Sequence, residues 1–84
     1  MTLDVRQTLH DIFPDANEAL HALKLNDAHF RVLAERFDVV SKEIYRIETD
    51  IEPASDVRLE ELKKERLTQL DEIAAMMARE QQSA

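Results

Sequence analysis

The chain has 84 residues with no glycine and no cysteine, and its formal net charge is −7. A chain of this length supports a single domain, which we place over residues 1–84. The missing glycine excludes phosphate-binding loops of the G-x-G-x-x-G and Walker types, and the missing cysteine excludes disulfides and zinc fingers. The acidic charge disfavours nucleic acid and anionic membrane surfaces as partners.

The first predicted element is a short helix over residues 2–12. Val5, Leu9 and Ile12 follow helical spacing. Phe13 must leave the α region because Pro14 follows it. Asp15 and Glu18 resemble a capping box, which predicts the start of a second helix at residue 15.

The second predicted element is a long helix over residues 15–51. From residue 30 onward its apolar residues recur in steps of three and four without a break. This spacing places them on one face of a helix, and such a face needs a partner surface. The residues of the stripe are Phe30, Leu33, Phe37, Val40, Ile44, Ile47 and Ile51.

The third predicted element is a helix over residues 56–80, followed by a frayed polar tail at 81–84. Pro53 interrupts the chain, and Ser55 or Asp56 can cap the new helix. The short connection forces the two long helices to turn back on each other. We therefore predict an all-α fold: an antiparallel two-helix hairpin, coiled-coil-like, preceded by a short N-terminal helix.

The hairpin core is predicted where the stripe of the long helix meets the stripe of the third helix. Arg66 interrupts that second stripe, and two interpretations are open. We expect its aliphatic stem to pack while its guanidinium reaches outward toward Glu43 or Glu65. The alternative is a buried charge that fixes helix register. The third helix contributes Leu59, Leu62, Leu70, Ile73 and Met77 to the predicted core.

The long helix is longer than its partner, so residues 15–26 overhang the hairpin with apolar side chains on one face. Either the first helix folds back over this face, or a second copy of the chain covers it. We favour self-association as a dimer, to which the first helix contributes, because so short a helix is unstable unless it packs. The candidate interaction surface is formed by Val5, Leu9, Ile12, Phe13, Leu20 and Leu23.

The sequence contains no residue pattern that is typical of a catalytic or metal-binding site. His21 and His29 lie eight residues apart, about 12 Å on one helix, which is too far to share a metal ion. Ser41 has no histidine in reach, and a two-helix hairpin offers no cavity that excludes water. The acidic residues near the bend lack the glycine of a calcium loop. We expect no enzyme activity, no cofactor, no metal and no small-molecule substrate.

Several short motifs resemble the YdcH family of small bacterial proteins, a domain of unknown function. They are "FPD" at 13–15, "DAHF" at 27–30, "EPASD" at 52–56, "LEELKKERL" at 59–67 and "DEI" at 71–73. Where that family usually reads L-x-L-K-D-E, this chain reads "LTQLDE" at 67–72. The resemblance implies a two-helix hairpin and supplies no catalytic residue.

From these observations we expect a small, non-enzymatic helical interaction or oligomerisation protein. The alternative is a regulatory adaptor or chaperone-like clamp that binds a client protein through uncovered apolar surface of the long helix. No apolar run reaches the ~20 residues of a membrane span, and no signal-peptide pattern is present. We therefore expect a bacterial cytoplasmic protein with no membrane partner.

Overall fold

The computed structural model describes residues 8–49 and 53–83. Its four helices are α1 (Leu9–Ile12), α2 (Asn17–Asn26), α3 (Ala28–Glu48) and α4 (Asp56–Ser83). Helices α3 and α4 form the antiparallel hairpin, and no strand occurs among the described residues. The predicted fold class is confirmed.

Helix α1 is a single capped turn. The Thr8 side chain accepts a hydrogen bond from the Asp11 amide, and Asp11 Oδ2 accepts one from the Thr8 amide at 3.0 Å. This capping box satisfies donors that a four-residue helix leaves open. Residues 2–7 of the predicted first helix lie outside the described part of the chain. Phe13 adopts φ −121° and ψ 65°, outside the α region, as Pro14 predicts.

The single helix predicted over residues 15–51 is wrong, because α2 ends at Asn26 and α3 begins at Ala28. Asp27 adopts an extended conformation, and its Oδ1 accepts a hydrogen bond from the Phe30 amide at 3.0 Å. Arg31 Nη1 donates to the Lys24 carbonyl at 2.8 Å, at the open end of α2. The break therefore satisfies backbone groups on both sides.

The predicted cap of this segment is also wrong. Ala16 is the N-cap of α2 and makes no side-chain capping hydrogen bond, so Asp15 and Glu18 do not form a capping box there. Asparagine and aspartate are poor helix formers, and Asp27 is a good N-cap; both properties favour a new helix start after Asn26.

Helix α4 starts where it was predicted and ends later. The Ser55 hydroxyl accepts a hydrogen bond from the Arg58 amide at 3.1 Å, so Ser55 rather than Asp56 caps the first turn. The helix continues through Ser83, so residues 81–83 of the predicted frayed tail are helical, and Ala84 lies outside the described residues. Helix α4 packs against α2 as well as against α3.

No helix in the described ranges 8–49 and 53–83 is long and apolar enough to cross a membrane.

Candidate functional site

Two separate apolar clusters hold the described helices together. The bend cluster consists of Val40, Ile44, Ile47 and Leu62, with Leu59 packed against it. The far cluster draws on all four helices, and its partly buried members include Ile12, Phe13, Ala34 and Leu70. The buried residues of the far cluster are Leu9, Leu20, Leu23, Phe30, Leu33, Phe37, Ile73, Met76 and Met77.

A buried polar layer, formed by Ser41, Arg66 and Gln69, lies between the two clusters. Arg66 is 6% exposed and Gln69 is 7% exposed. Arg66 Nε donates to Ser41 Oγ at 2.8 Å, and the guanidinium carbon lies 4.6 Å from the centre of the Phe37 ring. The hydrogen bond and the cation–π contact both stabilise the charge away from water.

The hydrogen bond of Gln69 is longer than that of Arg66. Gln69 Nε2 lies 3.4 Å from Glu65 Oε1, and its buried Oε1 accepts no hydrogen bond from the described residues. A buried carbonyl without a donor costs about 1–3 kcal/mol. The polar layer therefore lowers the stability of the hairpin at its middle, and a role of Arg66 in fixing which residues of α3 and α4 face each other stays a prediction.

A groove of about 500 Å³ opens between α1 and one flank of α3. Ser41 lines it, so the groove lies directly against the polar layer. The apolar lining comes from Leu9, Ala34 and Phe37, with the Tyr45 ring alongside. The remaining lining residues are Thr8, His10, Lys24, Asp38 and Lys42.

The valine face lies on α3 and consists of Val32 and Val39 with the charged residues Glu35 and Arg36 between them. Val32 is 43% exposed and Val39 is 62% exposed. They are seven residues apart, so they lie one above the other on the same side of the helix. A shallow depression beside Val39 is bordered by Glu35, Arg36 and Glu65.

The structure places the predicted hairpin core as follows. Leu59 and Leu70 are half-buried, and Ile51 lies outside the described residues. Arg66 does not reach outward, so the expectation that its guanidinium lies at the surface is wrong; Ser41 and the Phe37 ring provide its contacts inside. The buried members of the predicted core are Phe30, Leu33, Phe37, Val40, Ile44, Ile47, Leu62, Ile73 and Met77.

Three residues of the candidate interaction surface lie inside the chain, and the expectation that a second copy packs against this surface stays a prediction. Leu9, Leu20 and Leu23 are buried in the far cluster, and Ile12 and Phe13 pack against it; Val5 lies outside the described residues. Leu9 of α1 joins this cluster, and α2 packs against both α3 and α4. Within the chain, Leu9 of the first helix covers part of this apolar face.

The three histidines make no common site. His10 Nδ1 lies 3.0 Å from Asn17 Oδ1, where it joins α1 to α2, and His29 Nε2 lies 2.9 Å from Glu72 Oε1, where it joins α3 to α4. His21 is exposed. No group of three potential metal ligands occurs among residues 8–49 and 53–83.

Sequence reasoning missed Gln69 and the groove. Gln69 occupies the α4 stripe three residues after Arg66 and four before Ile73, and this spacing could have revealed it as a second buried polar residue. The groove depends on where α1 packs against α3, and the periodicity of a single helix carries no such information.

Comparison with known proteins identifies a family and nothing more specific. A family model described as a protein of unknown function (DUF465) matches residues 30–77, which is more than half of the chain. The chain belongs to this family. No curated protein and no solved structure matches it.

Proposed function

We propose that this member of the DUF465 family is a non-enzymatic interaction protein that pairs with a second copy of itself through the valine face. The observation that carries the proposal is the exposure of Val32 and Val39 on one side of α3. Valine is a poor helix former compared with alanine or lysine, so nothing local favours it at two exposed helical positions. Burial of both valine side chains against another protein surface would account for their presence at these positions.

Two-fold symmetry makes the valine face self-complementary. If two α3 helices cross antiparallel around a point between Glu35 and Arg36, Val32 of each copy faces Val39 of the other. Glu35 and Arg36 carry opposite charges, so the centre of the contact has no net charge. Two valines per copy supply little apolar area compared with the ~800 Å² per partner of a stable complex. We therefore expect reversible association with a dissociation constant in the micromolar range.

Sedimentation velocity over a series of protein concentrations tests the proposal. The wild-type chain is expected to shift from monomer to dimer as concentration rises, and Val39→Lys is expected to remain monomeric. Val57→Lys is the matched control, because Val57 is 68% exposed and lies at the start of α4, away from the valine face. It should associate as the wild type does.

Two results would overturn self-association. Val39→Lys could dimerise as the wild type does, or the wild type could stay monomeric at every concentration. A monomer that also raises the fluorescence of an apolar dye, in a way that Val39→Lys abolishes, would favour a client protein at the same face.

A further inference from the structure

Glu35 and Arg36, at the centre of the valine face, are exposed and make no ion pair with any residue in the ranges 8–49 and 53–83. They differ in this from the rest of α3, where every other charged or imidazole side chain has a polar or electrostatic contact. Asp38 and Lys42, for example, form a pair at 3.0 Å. The two unpaired charges therefore coincide with the two exposed valines.

The sequence around Arg36 explains why it has no partner in its own helix. The neighbours of a helical residue lie three and four positions away, and those of Arg36 are all apolar. They are Val32, Leu33, Val39 and Val40. Glu35 has Arg31 four positions before it, but Arg31 Nη1 donates to the Lys24 carbonyl at 2.8 Å. Both charged groups are therefore available to a partner surface.

The two-fold contact proposed above brings these charges together in pairs. Successive residues of an α-helix are about 100° apart, so Glu35 and Arg36 lie on opposite sides of the line that joins Val32 to Val39. The rotation that places Val32 against Val39 of the other copy also exchanges these two sides. Glu35 of each copy then lies opposite Arg36 of the other, and the contact contains two reciprocal ion pairs.

We infer that the two Glu35–Arg36 pairs fix the register of the self-association and select a second copy of this chain as the partner. This inference rests on the proposed function. Two valines per copy supply little apolar area, so they discriminate poorly between registers and between partners. Ion pairs beside an apolar contact set partner choice and orientation, and like charges placed opposite each other disfavour a wrong partner.

Charge reversal in the full chain tests the inference, with sedimentation velocity over a concentration series as the measurement. Glu35→Arg places guanidinium groups opposite each other in the contact, and Arg36→Glu places carboxylates opposite each other. Each variant alone should raise the dissociation constant about tenfold. An equimolar mixture of the two variants should dimerise as the wild type does, because each contact again pairs an acid with a base.

The double variant and two control variants complete the experiment. Glu35→Arg combined with Arg36→Glu in one chain should self-associate as the wild type does, since both pairs are restored with reversed polarity. Glu60→Arg and Lys64→Glu change the net charge by the same amounts at exposed positions of α4, and neither residue borders the depression beside Val39. Both controls should associate as the wild type does. Far-UV circular dichroism checks that every variant stays helical.

The inference is overturned if the wild type dimerises and the two single variants dimerise equally well. It is also overturned if their mixture or the double variant stays monomeric, or if the control variants weaken association as much as the single variants do. In these cases the valine face itself stands, because Val39→Lys tests it separately. A wild type that stays monomeric at every concentration overturns the proposed function and this inference together.

Discussion

At the far end of the hairpin, α1 and α2 pack over the α3–α4 pair, whereas the described residues of the bend cluster all come from α3 and α4. Of the residues that the structure describes, nine buried apolar residues belong to the far cluster and four to the bend cluster. Apolar burial is the main favourable term in folding, so the far end holds most of the stability. The polar layer between them keeps the two clusters from merging into one core.

The two ends of the hairpin are therefore expected to differ in local stability. The far end is held by a cluster to which all four helices contribute. The bend end is held by a small cluster and by ion pairs that are at least partly exposed, Arg58 with Glu43 and Lys63 with Glu48, both at 3.3 Å. Exposed pairs contribute little, so the bend end should open more readily.

The largest expected effect is at Phe37, which belongs to the far cluster and also stacks on Arg66. Phe37→Ala should lower the free energy of unfolding by about 3–5 kcal/mol, close to the whole stability of so small a domain. Urea denaturation measures this change. Leu67→Ala, at an exposed position of α4, is the control and should change it by less than about 0.5 kcal/mol. Equal effects for the two variants would mean that Phe37 is not a core residue in solution.

The next effect is an increase in stability. Arg66→Leu replaces a buried charge by an apolar residue between the two clusters, which should raise the free energy of unfolding by about 1–2 kcal/mol. In the same variant α3 and α4 should pack in more than one register, and the exchange between registers should broaden the amide resonances in NMR spectra. Lys64→Leu, on the exposed side of α4, should produce neither change. A clear loss of stability in Arg66→Leu would contradict the account of the polar layer.

A smaller effect is expected at the break between α2 and α3. Asp27→Ala removes the acceptor for the Phe30 amide and should lower the free energy of unfolding by about 1 kcal/mol. Thermal denaturation of the Asp27→Ala variant measures this change. The Asp71→Ala variant is the control, because Asp71 is an exposed aspartate of α4. If Asp27→Ala instead stabilises the chain, a continuous helix is the better local structure and the break has another cause.

The smallest effect belongs to the bend. Glu43→Gln removes the ion pair with Arg58, whose side chain is half exposed. The substitution should lower the free energy of unfolding by less than about 0.5 kcal/mol. The difference should disappear at high salt. A larger or salt-independent effect in urea denaturation would mean that the bend end is held more firmly than its contacts indicate.

The helices and most of the core could be predicted from the sequence, because periodicity decides which face of a helix is buried. Phe30 to Ile47 on α3 illustrate this. The break at Asp27 is harder to predict, since the residue preferences of Asn26 and Asp27 favour it only weakly and the capping hydrogen bond forms only in the folded chain. Arg66 stood out in the stripe, but its burial depends on Ser41 and the Phe37 ring, which lie 25 and 29 residues away in the chain.

Amide hydrogen exchange, read residue by residue, tests the division of the hairpin most directly. The amides of Ile44 and Leu62 in the bend cluster should exchange through openings of lower free energy than those of Phe30 and Ile73 in the far cluster. In Arg66→Leu that difference should narrow, because the two clusters become continuous. One common opening free energy for all four amides, unchanged by the substitution, would contradict the account.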